Sequence, residues 1–67
     1  MCKFADRLKL LRIEKGLNQT ELAEQLSVNQ RSVSNWENSL REPSFEMLMK
    51  LAQILEVSTD YLLGLED

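Results

Sequence analysis

The apolar positions of this chain recur at helical spacing, and no run alternates in the way a strand would. Phe4, Leu8 and Leu11 stand at i, i+4 and i+7, with Leu10 and Ile13 widening the stripe, which predicts a first helix of about three turns running to Lys15. Gly16 stops it, because a glycine just past the last helical residue takes the left-handed conformation while Leu17 folds back on the final turn. Asn18-Gln19-Thr20-Glu21 then reads as a helix start of the capping-box kind, with Asn18 satisfying orphan amides and Glu21 reaching back. Leu22, Ala23 and Leu26 form the inner face of this second helix. The polar break Ser27-Val28-Asn29 ends it, and Asn29 caps the next helix.

A third helix is expected from Gln30 to about Asn38. Only Val33 and Trp36 are large and apolar in it, at i and i+3, so Arg31, Ser34, Asn35 and Asn38 fall on the opposite side, with Gln30 at the exposed amino end. Residues 38–43 form a loop, since Pro43 disfavours helix at Glu42. Ser44 caps a fourth helix carrying Phe45, Leu48, Leu51, Ala52 and Leu55, with Met47, Met49 and Ile54 extending its apolar surface. Ser58 starts a short fifth helix with Tyr61, Leu62 and Leu63, closed by Gly64. The expectation is an all-α, compact five-helix domain without a repeat or linker, spanning residues 1–67 as one unit.

Composition narrows the chemistry. Sixty-seven residues, 43% hydrophobic and 28% charged, suit one small domain that buries only about 60% of its unfolded surface. A multidomain enzyme with a deep cleft is excluded at this size. With no histidine and a single cysteine, the commonest base and metal ligand is missing and no internal disulfide can form. Cys2 reads as an exposed terminal thiol, no constellation for catalysis assembles, and no cofactor is expected. No apolar run reaches the 18 or so residues of a membrane span, and Lys3, Asp6, Arg7 and Lys9 interrupt the place of a signal peptide, which points to the cytoplasm.

The net charge of −3 conceals a segregation. Residues 1–41 carry seven basic against five acidic side chains, whereas residues 42–67 carry only Lys50 against six acids. A basic face for phosphates and a merely solvated acidic face both fit that division. The outer face of the third helix sharpens the choice. Asn and Ser lower helix stability, so their clustering on a helix surface needs a reason. Gln, Asn, Ser and Arg are the side chains that hydrogen-bond base edges in the major groove; simple exposure is the competing explanation.

A short helix, a three-residue turn and a second helix with a polar outer face form the helix-turn-helix pattern. Leu17 through Ala23, Val28, Val33-Ser34-Asn35-Trp36-Glu37, Pro43, Leu51-Ala52 and Val57 through Leu63 together resemble the phage-repressor and Cro type, or xenobiotic-response-element-like regulators. This resemblance covers nearly the whole chain. It implies a lambda-repressor-like fold, with helices 2 and 3 as the helix-turn-helix, and a homodimer that binds a palindromic double-stranded DNA operator to regulate transcription, often as a repressor. Carried over by position, it places Gln19, Gln30, Arg31, Ser34 and Asn35 at bases, and Asn18, Asn38, Arg41 and the amides near Gln19 at phosphates. Arg12 and Glu37 match a family ion pair, and Arg12 is also expected to reach the DNA backbone. Val57, Ser58, Tyr61, Leu62 and Leu65 match a dimer interface. No membrane and no small-molecule ligand enter this reading.

Each assignment has a structural counterpart. Asn18 serves equally as a helix cap, Glu37 reads as structural because a carboxylate beside DNA is tolerable only when neutralised, and Tyr61 and Leu65 could close the core. Ser39 and Ser27 stand where the family commonly has glycine, which predicts strain or a different exit at both turns. Many such regulators carry a second domain, so the chain fits either a complete small regulator or an excised fragment. The competing function is a protein-interaction module, an antitoxin-like or adaptor partner working through the acidic fourth and fifth helices.

Overall fold

In the computed structural model, which describes residues 3–67, five helices succeed one another: α1 (Phe4–Glu14), α2 (Gln19–Leu26), α3 (Gln30–Glu37), α4 (Phe45–Leu55) and α5 (Thr59–Leu63). Cys2 lies outside the described residues. The core draws on every helix: Phe4 and Leu8, then Leu22, Ala23 and Leu26, then Val33 and Trp36, then Leu51, Ala52 and Leu55, and finally Leu62. Helix α3 packs on α2 and α1, while α4 and α5 close the other side.

Polar side chains fix where α2 to α5 begin. Asn18 Oδ1 accepts from the Glu21 amide at 2.7 Å while Glu21 Oε1 accepts from the Asn18 amide at 2.8 Å, completing the expected box. Asn29, Ser44 and Ser58 cap α3, α4 and α5 in the same sense, accepting from Ser32, Met47 and Tyr61 amides. All five helices end by one device, a left-handed residue followed by an apolar one whose amide reaches back to the last turn. Leu17, Val28, Leu40, Val57 and Leu65 donate to the carbonyls of Arg12, Ala23, Asn35, Ala52 and Asp60 at 2.8–3.1 Å.

The left-handed residues are Gly16 and Gly64 but also Ser27, Ser39 and Glu56, with φ of 59°, 60° and 60°. The two serine turns therefore keep the shape a glycine would make, at a steric cost. Ser27→Gly and Ser39→Gly are each expected to raise stability by about 1 kcal/mol in urea unfolding, since a Cβ at positive φ costs about that much. At Glu56 the carboxylate pairs with Lys15, which ties the end of α4 to the end of α1. The Lys15 ammonium, first by its hydrogen bond and then by its charge, holds that carboxyl below its ordinary range.

Several apolar residues expected inside lie outside. Leu10 and Ile13 are each 54% exposed, and Arg12 takes the inner place beside Leu8. The helical step accounts for it: residue 12 lies only about 40° around the axis from Leu8, residue 13 about 140°. Phe45 is 86% exposed and Met49 58%. Phe45 opens α4, where side chains lean towards the amino end and so off the helix altogether. Helices α1 and α3 each stop one residue before the predicted limit, with Lys15 and Asn38 as their C-caps.

Candidate nucleic-acid interface

The turn Ser27-Val28-Asn29 sets α3 across α2, and Val33 (0% exposed) with Trp36 (6%) holds it there from beneath. Two inward anchors at i and i+3 leave the other side of the rod facing out. Gln30 and Arg31 are exposed, Ser34 and Asn35 half-buried at its flank, and Asn38 exposed at its end. Asn38 Nδ2 donates to Ser34 Oγ at 3.3 Å, joining two of these groups along the face. Beyond the helix, the Asn35 carbonyl accepts the amides of Leu40 and Arg41, so the loop that carries exposed Arg41 is braced on α3 itself.

Beneath this face runs a polar network joining three helices. Arg12 Nε donates to Glu37 Oε2 at 2.6 Å and its Nη2 to Glu37 Oε1 at 3.1 Å, a two-pronged ion pair from α1 to the end of α3. Arg12 Nη1 donates to the Leu17 carbonyl at 2.8 Å. Glu37 Oε1 also accepts from Gln19 Nε2 at 3.1 Å, and Gln19 Oε1 accepts from Gln30 Nε2 at 2.6 Å. The expected ion pair is thus present. For the expected contact of Arg12 with the DNA backbone little surface is left: its side chain is 10% exposed and three of its five N–H donors go to Glu37 and Leu17.

Asn18 is exposed at the start of α2 with its Oδ1 spent on the cap, which leaves the Nδ2 end for an anion. The residues proposed for an interface between copies are not equivalent. Leu65 is 73% exposed and Ser58 exposed, while Val57 and Tyr61 are half-buried. Leu62 is 0% exposed; it fills the core and has no surface to offer a partner, which corrects its assignment. Arg7, to which the motifs assign no role, is a tertiary clamp. Its guanidinium stacks 4.2 Å above the Tyr61 ring and donates to the carbonyls of Tyr61 and Glu66, pinning the end of α5 to α1. Only the i, i+4 relation of Arg7 to Leu11 hinted at an inward position.

The family model for helix-turn-helix proteins matches residues 8–62, which takes in α2, the turn, α3 and most of their support. The chain belongs to the helix-turn-helix family. It is 43% identical over 61 residues to the HTH-type transcriptional regulator ImmR of Bacillus subtilis, covering 91% of this chain and 48% of that protein. The chain spans about half the length of the curated relatives it matches. Among solved structures, the P22 c2 repressor in complex with a synthetic operator superposes with a TM-score of 0.88 at 32% identity, covering 94% of this chain and 96% of that one. SinR in complex with DNA gives 0.82 at 38% identity, covering 90% and 97%. The helix-turn-helix fold is therefore that of phage-repressor domains. Among the described residues no helix is long and apolar enough to cross a membrane.

Proposed function

We propose that this chain is a sequence-specific DNA-binding transcriptional regulator, of repressor type, that works without catalysis. It lays α3 in the major groove of a palindromic operator as a dimer. The observation that carries this reading is the two-sidedness of α3, with Val33 and Trp36 buried and Gln30 and Arg31 outward. Gln30, Arg31, Ser34 and Asn35 read base edges, while Gln19, expected at a base of its own, has one N–H spent on Glu37 and its carbonyl on Gln30 and stands behind Gln30; Asn18 through its Nδ2, Asn38 and Arg41 hold phosphates, together with the first amides of α2. Leu65, Ser58, Val57 and Tyr61 form the contact between copies, and the nearby acidic surface stays away from the duplex. The likeness to two proteins solved with DNA supports the partner class.

Selection of bound duplexes from a random pool tests the proposal. A recovered palindrome gives specificity, symmetry and half-site spacing at once, and failure to enrich any motif refutes it. Arg31→Ala is expected to cost about 1–3 kcal/mol on the selected operator and to blunt discrimination at one base pair, measured by fluorescence anisotropy. Arg41→Ala is expected to weaken binding equally on all sequences and to lower the salt slope by about one. A sequence-selective loss at Arg41 would reassign it to the bases.

One observation favours a second reading, a protein-interaction module. A surface cleft of about 210 Å³ lined by Phe4, Pro43, Phe45, Leu48 and Leu63 opens beside Glu42, in the acidic half of the chain. An apolar cleft with one carboxylate at its edge suits an apolar segment of another protein that carries a basic side chain. Under this reading the random-pool selection yields no motif.

A further inference from the structure

Resting on the DNA reading above, we infer that Glu37, clamped by Arg12, is a positioning residue that sets base identity at one operator position. It acts through Gln19 on Gln30 and makes Gln30 select adenine over guanine. Glu37 touches no base. Its side chain is 2% exposed, so water cannot take the place of its protein partners.

Donors and acceptors along the line fix one another in order. An ionised carboxylate can only accept, so Gln19 must turn its NH2 end towards Glu37 Oε1, where the contact is 3.1 Å. The amide of Gln19 is then polarised in one sense, with its carbonyl pointing away from α1 and towards the amino end of α3. That carbonyl needs a donor, and Gln30 Nε2 supplies it at 2.6 Å. One of the two N–H groups of Gln30 is thereby spent. What remains at its exposed tip is one N–H and the Oε1 acceptor.

This remainder has a definite complement. Adenine offers N7 as acceptor and N6–H as donor in the major groove, whereas guanine offers two acceptors, N7 and O6. An amide with one N–H and one C=O left pairs with both groups of adenine but sets its carbonyl against O6 of guanine. A Gln30 freed from Gln19 regains its second N–H and can turn that end to both guanine acceptors. The ion pair at the end of α3 therefore dictates which base the start of that helix accepts, because each partner in the line leaves the next only one polarity. Arg12 completes the device by holding the carboxylate on two prongs, so that it cannot rotate away from Gln19.

The test compares the whole chain with Gln30→Ala, Glu37→Gln and Gln19→Met in the random-pool selection. Affinities are then measured on duplexes carrying A·T or G·C at the position Gln30→Ala de-specifies. Wild type is expected to prefer adenine there. Glu37→Gln, which allows the neighbouring amide to turn over, and Gln19→Met, which cuts the line but keeps the ion pair, are expected to lower that preference about tenfold. Preferences at the other positions should stand. A general loss of packing would weaken all positions together.

Circular dichroism checks that each variant is folded. Should Glu37→Gln fail to fold, Gln19→Met decides alone, since it leaves Arg12 and Glu37 paired. Unaltered preference for adenine in a folded variant overturns the inference while leaving the DNA reading in place. Absence of any motif for wild type overturns the DNA reading itself. A motif in which no position responds to Gln30→Ala overturns the inference by removing its endpoint.

Discussion

Glu37→Ala is expected to destabilise the protein by about 3–5 kcal/mol, the cost of leaving a buried charge without its partner. The Arg12 side chain is 10% exposed and that of Glu37 2%, so removing the carboxylate strands a guanidinium that water reaches only poorly. A domain of this length has a total stability of roughly 3–10 kcal/mol, and the variant is therefore expected to be partly unfolded at room temperature. Urea titration followed by the fluorescence of Trp36, the single tryptophan, measures the change. Replacing both partners with apolar residues of similar volume, Arg12→Met with Glu37→Leu, should recover most of the loss, because well-packed apolar pairs are commonly neutral relative to buried ion pairs. A loss below about 1 kcal/mol for the single variant would mean that the pair is solvated, as exposed pairs are. In that event Glu37 could not hold Gln19 in one orientation.

Trp36→Ala is expected to cost a comparable 3–5 kcal/mol, in the range for truncation of a buried large aromatic. Trp36 is 6% exposed and is one of only two apolar anchors of α3, the other being Val33. The cavity would open directly beneath the outward face, so a second effect is expected. Operator affinity should fall beyond what the unfolded fraction explains, because a rod held by Val33 alone is free to roll. Thermal unfolding followed by circular dichroism gives the first quantity, and anisotropy titration under conditions that keep the variant folded gives the second. Trp36→Phe should lose far less of both. If Trp36→Ala unfolds readily yet its folded fraction binds like wild type, the tilt of α3 is set elsewhere.

Both residues mark the boundary between what spacing along the chain reveals and what packing adds. The starts of α2 to α5 were legible because Asn18, Asn29, Ser44 and Ser58 act on amides three residues away, an interaction contained within the local sequence. The helix ends were legible for the same reason, even where serine stands at positive φ in place of glycine. Exposure was less so. Leu10, Ile13 and Phe45 are apolar enough for a core and nevertheless face solvent, whereas Arg12 lies inside. Apolarity alone does not choose between two helical faces only about a third of a turn apart; the neighbouring helix does.

The candidate site divides along the same line. By itself the sequence determined five helices, four of them with side-chain caps, a two-anchor third helix and the identity of the polar groups on its back, because these depend on spacing along one chain. Only the tertiary structure decided that Arg12 turns inward onto Glu37, that Leu62 belongs to the core, that Arg7 clamps α5, and that Glu37, Gln19 and Gln30 stand in one hydrogen-bonded line. Those facts join residues on different helices, and the direction in which a hydrogen bond is donated exists only once both ends have been brought within about 3 Å of each other.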